Sequence, residues 1–422
     1  MPPPQRNSEF PRARRVVELP QLAPGRHTID TGIRDHGGAR PRIPAQVNLA
    51  IVSETFPPEI NGVAMTFGVI ARELGRRGHR VTVYRPWRPD LPPAAAHPEF
   101  TERTLPGLAI PGYPLLRLGL PAHRRLRRCW RADRPDLVHV VTEGPLGASA
   151  ITTARALALP VTSSFHTNFH AYTSYYGCGL LRRLILAWLR RVHNRTRRTF
   201  VPDEALGRTL TGLGFARIGV LSRGVDTRQF SPARRSPELR AAWGAADDDP
   251  VVIHVGRMAA EKNYPVVFRA YAAMRAVNPR LRCVLAGEGP LKPRLQREHP
   301  ECVFAGFFTR EEIGRYYASA DLYVHASLTE TFGNVVTEAM ASGLAVVGFD
   351  YAAARQFIRH GDNGLVAPCD QPGALLAAAA ALARDASLRA RLGAAAAASL
   401  IEQSWENIIV RFEADLQTVV AP

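Results

Sequence analysis

Glu330 and Glu338 stand eight positions apart in the stretch ETFGNVVTE. Two carboxylates so spaced can accept hydrogen bonds from two hydroxyl-bearing parts of one ligand, a sugar and a ribose. Between them lie Phe332, Gly333 and Asn334, and the apolar pair Val335-Val336 opens what reads as a helix. Asn334, or a residue just before it, is expected to cap that helix. Glu338 then lies about one turn in, and Glu330 lies on the loop that feeds it. A helix N-terminus offers unpaired backbone N–H groups to an anion, and Gly333 lets a phosphate approach the backbone closely.

A second group of residues could meet that anion. The apolar strand VVIHVGRM runs straight into GRMAAEKN, which places Arg257 and Lys262 on the loop at the C-terminal end of a strand. Open α/β sheets bind ligands at such ends. The chain has 54 Lys+Arg, yet only Lys262 and Lys292 are lysines. Keeping a lysine here points to a compact point charge for a phosphate. The triplet Asp247-Asp248-Asp249 precedes a strand and reads as a solvated surface turn, so no metal site is expected from it. His166 ends the strand PVTSSFH; alone, it reads as a satisfied surface or core histidine. AGEGP follows another strand, and a lone G-x-G there is compatible with a plain turn.

These groups need a scaffold that delivers them to one edge. Order is expected to begin at VNLAIVSETF, residues 47–56, as a buried strand. A turn follows, then a helix over roughly residues 65–75 and strands over 80–86 and 136–141. The helix ITTARALAL, the strand PVTSSFH and shorter strands near 199–202 and 218–226 complete a first series. A second series starts at Val251, with strands LRCVLAG, CVFAGF, ADLYVHAS and LAVVGFD separated by helices. Such βαβ alternation predicts two doubly wound α/β domains with parallel sheets. The Pro- and Ser-containing stretch 231–240 reads as a linker, and the alanine-rich stretch 374–398 as helices. Residues 1–46, with eight Pro and eight Arg, read as a flexible basic tail without a core.

Together, Gly62, SSFHTNF, GRMAAEKN, AGEGP and the Glu330/Glu338 pair, in that order over about residues 47 to 418, resemble the family 4 retaining, nucleotide-sugar-dependent glycosyltransferases with the GT-B fold. FHTNFHAYTSYYG and HNRTRRTFVP most resemble bacterial GDP-mannose-dependent α-mannosyltransferases, including those acting on glycolipids. The resemblance implies two Rossmann-like domains facing a cleft. Residues 47–232 would bind the acceptor and 233–403 the nucleotide sugar, while 404–422 would form a helix packing back on the first domain. Glu338 would accept from the ribose, and Glu330 would hold the transferred sugar near its 3- and 4-hydroxyls. Backbone N–H groups around Phe332, Gly333, Asn334 and Val335 would touch sugar and phosphates. Arg257 and Lys262 would neutralise the diphosphate where charge develops on the leaving oxygen, so no divalent metal is expected. His166 would reach the sugar near its 6-hydroxyl. This makes His166, Arg257, Lys262 and Glu330 the expected catalytic set. Gly62 would bring its N–H to the diphosphate; relatives often carry two consecutive glycines where this chain has Asn61-Gly62. Gly287, Glu288 and Gly289 would lie beside the nucleotide, residues 307–312 near the base, and His170 and Tyr172 near the acceptor. Retention would follow a front-face path in which the leaving phosphate helps deprotonate the acceptor hydroxyl.

Composition narrows the partners. A chain of 422 residues with 46% hydrophobic residues can bury two cores. Five scattered cysteines without metal-ligand spacing fit a reducing cytosol. No apolar run long enough to span a bilayer and no signal-peptide pattern is read, which argues against secretion and membrane spanning. The net charge of +17 is carried by the first half, since residues 1–232 hold 34 Arg against 16 Asp+Glu. On a helical wheel, Leu181, Leu184, Ile185, Trp188, Leu189 and Val192 share one arc, and Arg182, Arg183, Arg190 and Arg191 occupy most of the other. With the arginine cluster at 124–134, this predicts peripheral attachment to the anionic inner face of the cytoplasmic membrane and a lipid-linked or other glycan acceptor. A UDP-sugar-dependent glycolipid glycosyltransferase, of glucosyl or sulfoquinovosyl type, is the nearest alternative. A nucleic-acid-binding protein is the alternative of another class, but the arginines lack interleaved stacking aromatics, so no nucleic-acid partner is expected. A nicotinamide-dependent oxidoreductase would need G-x-G-x-x-G after the first strand, which is absent.

Overall fold

Asn48–Val52 reads NLAIV and forms β1, buried on both faces as the middle of a parallel sheet requires. Around it lie β2 (Arg80–Pro86), β3 (Phe100–Leu105), β6 (Leu137–Val140), β7 (Val161–Ser164), β8 (Arg198–Val201) and β9 (Ile218–Val220). Between β3 and β6, β4 (Gly107–Ile110) and β5 (Tyr113–Gly119) pair as a separate antiparallel hairpin. The seven-stranded sheet is parallel throughout, in the order β3-β2-β1-β6-β7-β8-β9. A second parallel sheet is built from β10 (Val251–Val255), β11 (Arg282–Ala286), β12 (Val303–Gly306), β13 (Leu322–His325), β14 (Ala345–Phe349) and β15 (Leu365–Ala367). Its order is β12-β11-β10-β13-β14-β15. In each sheet the winding reverses beside the first strand, at β1/β6 and at β10/β13, and a crevice opens there beyond the C-terminal strand ends. The computed structural model describes residues 46–420 apart from 60, 90–96, 111–112, 167–178, 307, 329 and 331. The tail expected over 1–46 lies outside these residues save for Gln46, as do His170, Tyr172 and Phe307.

Several elements differ from the sequence expectation. The first helix spans Gly62–Arg76, three residues longer at its start, because the Asn61 side chain accepts hydrogen bonds from the N–H groups of Val63 and Ala64. The stretch expected as a linker is folded: Pro232–Arg234 and Pro237–Ala242 are short helical segments. Arg240 is buried there and donates to Asp321 Oδ2 at 3.0 Å and to the carbonyl of Asp249 at 2.6 Å. Asp249 is itself buried, so the acidic triplet is not wholly a solvated turn. It precedes β10, at the opposite end of that strand from Arg257.

The helix Trp405–Val420 crosses from the second domain to the first. Ile408, Ile409, Phe412 and Leu416 complete the core formed by Phe67, Ile70 and Phe200. The Phe412 ring meets Phe200 at 5.1 Å and His139 at 5.4 Å, both edge to face. Glu413 on the same helix accepts from His79 Nε2 at 2.5 Å and Arg77 Nη2 at 2.8 Å. The two chain crossings lie side by side: Val225 N–H donates to the Gln403 carbonyl at 2.9 Å, and Trp405 N–H to the Val225 carbonyl at 3.2 Å.

Glu54, just past β1, accepts from the Leu146 N–H at 3.0 Å at the start of the helix Pro145–Ala156. Burial pushes its carboxyl from the usual 4.5 up to about 7, and the Leu146 bond only partly opposes this. The folded state therefore disfavours the charged form. The resulting cost is absent below about pH 4.5, grows between 4.5 and 7, and is full above 7. Glu54→Gln keeps an acceptor for Leu146, so it is expected to stabilise the protein at pH 8 by on the order of 2 kcal/mol and to leave it unchanged at pH 4. Denaturant melts at the two pH values check this; equal stability of both proteins at pH 8 would count against the assignment.

Candidate active site

The second domain gathers its candidate residues where β10, β11 and β13 end. After β10 the chain passes Gly256 and Arg257 and enters a 3₁₀ turn, Ala260–Lys262. Two side chains tie this turn to the end of β13. Asn263 Nδ2 donates to the Ala326 carbonyl at 3.1 Å, and Ser327 Oγ to the Glu261 carbonyl at 3.1 Å. So held, Lys262 Nζ donates to Glu330 Oε1 in a close ion pair that is largely buried on both sides. Burial alone would raise the Glu330 carboxyl, but the Lys262 ammonium outweighs it and holds Glu330 below the ordinary carboxylate range. Tyr351 Oη fixes the loop by donating to the Glu330 carbonyl at 3.1 Å. His325, at the end of β13, faces the pair; burial pulls its ring down to about 4, so it stays neutral beside the lysine.

The helix that follows spans Asn334–Ala341. Gly333, not Asn334, occupies the cap, with φ at +92° and no side-chain capping bond. A side chain at that φ would be strained, so glycine is needed there. The first N–H groups, those of Asn334 and Val335, are left for a ligand rather than for a cap. Glu338 sits one turn in and accepts from Tyr317 Oη at 3.3 Å. Gly287, Glu288 and Gly289 follow β11 beside the Arg257 loop, where Met258 N–H donates to the Glu288 carbonyl at 2.8 Å. The Glu288 carboxylate takes Lys292 Nζ at 2.5 Å.

The Arg257 side chain is 70% exposed and stands 4.0 Å from Glu261, apart from the Lys262–Glu330 pair.

Opposite these groups, the first domain presents Gly62, His166 and a residue that the sequence reading passed over, Arg223. Gly62 is the first residue of its helix. His166 follows β7, with its ring edge-on to Phe67 at 5.5 Å and Nε2 buried without a partner among the described residues. Burial first, and then the nearby Arg223 charge, pull it down to about 3, so this imidazole is neutral. Arg223, three residues past β9, lies over the Phe332 ring at 4.8 Å and thus joins the two domains across the cleft. The strand expected over 218–226 ends at Val220, so Arg223, expected within it, lies on the loop that follows. Tyr317, 21 residues from Glu338, had no local signal at all.

A Lys–Glu pair and a helix N-terminus on one domain, linked through Phe332 and Arg223 to a neutral histidine on the other, can hold a sugar next to a phosphate. The family model described as Glycosyltransferase Family 4 matches residues 60–229, and that described as Glycosyl transferases group 1 matches residues 235–399. A GDP-mannose-dependent alpha-mannosyltransferase of Mycobacterium tuberculosis is 34% identical over 85% of this chain and 93% of its own length. One of the same name from Mycolicibacterium smegmatis is 32% identical over 88% and 98%. Glucosyl and sulfoquinovosyl transferases are also among the relatives. The structure of Anabaena Alr3699/HepE in complex with UDP superposes with a TM-score of 0.69, at 18% identity, over 88% of this chain and 100% of that one, and so shares the fold. The chain therefore belongs to the family 4 glycosyltransferases, hexosyltransferases with the GT-B fold.

Proposed function

We propose that the protein transfers mannose from GDP-mannose to a lipid-linked or other glycan acceptor, with retention and without a divalent metal. The observation that carries this reading is the Lys262–Glu330 pair at the mouth of the Asn334–Ala341 helix. It sets a cation for the diphosphate against a carboxylate for the sugar hydroxyls. The second domain takes the donor and the first takes the acceptor. Glu338, steadied by Tyr317, receives the ribose, and Asn334 and Val335 N–H groups receive phosphate or sugar oxygens. Mannose as the transferred sugar is supported by the names of the relatives, 34% and 32% identical over most of their length.

The acceptor class is supported by the basic face of the first domain. In the helix Gly179–His193, Leu189 and Val192 are buried, but Leu184 is 60% and Trp188 43% exposed beside Arg183, Arg190 and Arg191. A concavity of about 480 Å³ lies between Trp188, Arg190, Arg191 and Asn194. Apolar tips among arginines suit the interface of an anionic leaflet, where each arginine contributes about 1 kcal/mol. The helix His123–Ala132 adds exposed Arg124, Arg125, Arg127, Arg128 and Arg131 over buried Leu126 and Trp130. No helix among the described residues is long and apolar enough to cross a membrane.

The test is transfer by the purified protein in EDTA, with GDP-mannose and UDP-glucose offered in parallel and anionic or neutral lipid extracts as acceptors. Mannose entering the anionic lipid fraction is the expected result. Transfer from UDP-glucose instead would favour the second reading, a glycolipid glucosyltransferase, for which the alpha-monoglucosyldiacylglycerol synthase of Streptococcus pneumoniae, 24% identical, is the supporting relative.

A further inference from the structure

Arg223 is 7% exposed, and neither a carboxylate nor a hydrogen-bond acceptor meets its guanidinium among the described residues. Burying an unpaired cation is costly, so a group that persists in this state marks a place where a counter-charge arrives. Three features surround it. A Cβ on Gly62 would come within 2.5 Å of Arg223 Nη1, so the absence of a side chain there lets the guanidinium pack closely against the start of the Gly62–Arg76 helix. The Asn61 side chain takes the N–H groups of Val63 and Ala64, which leaves the Gly62 N–H without a partner among the described residues. Across the cleft, the guanidinium carbon lies 4.8 Å from the centre of the Phe332 ring, next to the N-terminus of the Asn334–Ala341 helix, which has no side-chain cap. Two helix N-termini and one buried cation thus converge on one space.

We infer that Arg223 is a catalytic residue that binds the leaving diphosphate from the acceptor-side domain while it rests on the Phe332 ring. This inference rests on the reading of the donor as a nucleoside diphosphate sugar. In the transfer, the bond from the sugar C1 to the β-phosphate oxygen breaks and its electron pair stays on that oxygen. The acceptor oxygen bonds to C1, and its proton passes to the departing phosphate. The β-phosphate gains negative charge before that proton arrives, and a guanidinium already largely buried needs little reorganisation to meet it. Arginine suits the task because its fork can hold two phosphate oxygens at once while its face stays on an aromatic ring. Burial also pulls the guanidinium down to about 10, still fully protonated at neutral pH.

The test compares GDP, GMP and UDP binding by calorimetry, together with turnover, in wild type, Arg223→Met and Gln356→Ala. Gln356 makes another contact across the cleft, donating to the Pro202 carbonyl and Ser222 Oγ at 3.4 Å each, so it reports what losing a mere domain staple does. Arg223→Met is expected to weaken GDP by about tenfold or more while leaving GMP unchanged, and to lower turnover about a hundredfold. Gln356→Ala is expected to keep the wild-type GDP/GMP preference. Arg223→Lys should recover part of the GDP affinity. Equal loss of GDP and GMP affinity, or the same loss in both variants, would overturn the inference and leave a structural staple. Unchanged GDP affinity with a raised acceptor KM would overturn it in favour of an acceptor phosphate. A wild-type protein that binds neither GDP nor UDP would overturn the donor reading and the inference with it.

Discussion

Lys262→Ala is expected to lower turnover by about two to three orders of magnitude, the loss that follows when a fixed charge aimed at a developing anion is removed. Its second effect is on Glu330. With the ammonium gone, burial is the dominant influence left on that carboxyl and drives its pKa up. Glu330 in the variant should therefore take up its proton at a higher pH than in the wild type. In the wild type the sign is opposite. A depressed folded-state pKa contributes stability that is present above the unfolded value and is lost as pH falls through the lowered one. Glu330→Ala alone should also be severe, because it strands the ammonium in a largely buried site, at a cost on the order of 3 kcal/mol. The double variant should then lose far less than the sum of the two single losses. Thermal melts from pH 4 to 8 and single-turnover rates of the three variants decide the matter. Additive losses would show that the two groups act separately.

The second large effect concerns stability. Phe412→Ala removes a ring packed on Phe200 and His139 in a core it shares with Phe67 and Ile70. The expected cost is about 3–5 kcal/mol. It should appear in the first domain, 212 residues upstream at Phe200, although Phe412 follows the second domain in sequence. A urea melt followed by a probe in each domain tests this. A loss below about 1 kcal/mol, or one confined to the second domain, would contradict the packing described.

Much of this architecture was legible in the sequence because central parallel strands are continuous apolar runs. β1, β6, β10, β11, β13 and β14 all announce themselves in that way. What was missed lies where that signal fails. β3 reads FTERTL, with polar residues alternating outward at a sheet edge, and β15 has only three residues. The start of the first helix was misplaced because its cap is a side-chain bond from Asn61, which periodicity does not report. In the site, Lys262, Glu330 and Glu338 could be picked out because their spacing is local. Arg223 and Tyr317 act on residues more than a hundred and 21 positions away respectively, and only the winding of the sheets brings them there. Arg257 shows the converse: its place at a strand end was legible, but nothing in the sequence told that its side chain would stand 70% exposed beside Glu261.

The return of the Trp405–Val420 helix to the first sheet has a consequence for biosynthesis. The first sheet is translated early, but its core stays open along Phe67, Ile70 and Phe200 until that helix has left the ribosome. The second domain needs nothing from beyond residue 400 to close its two clusters. The usual order, in which the N-terminal domain is finished first, is therefore reversed. The half translated first must wait with apolar surface exposed until the last helix arrives.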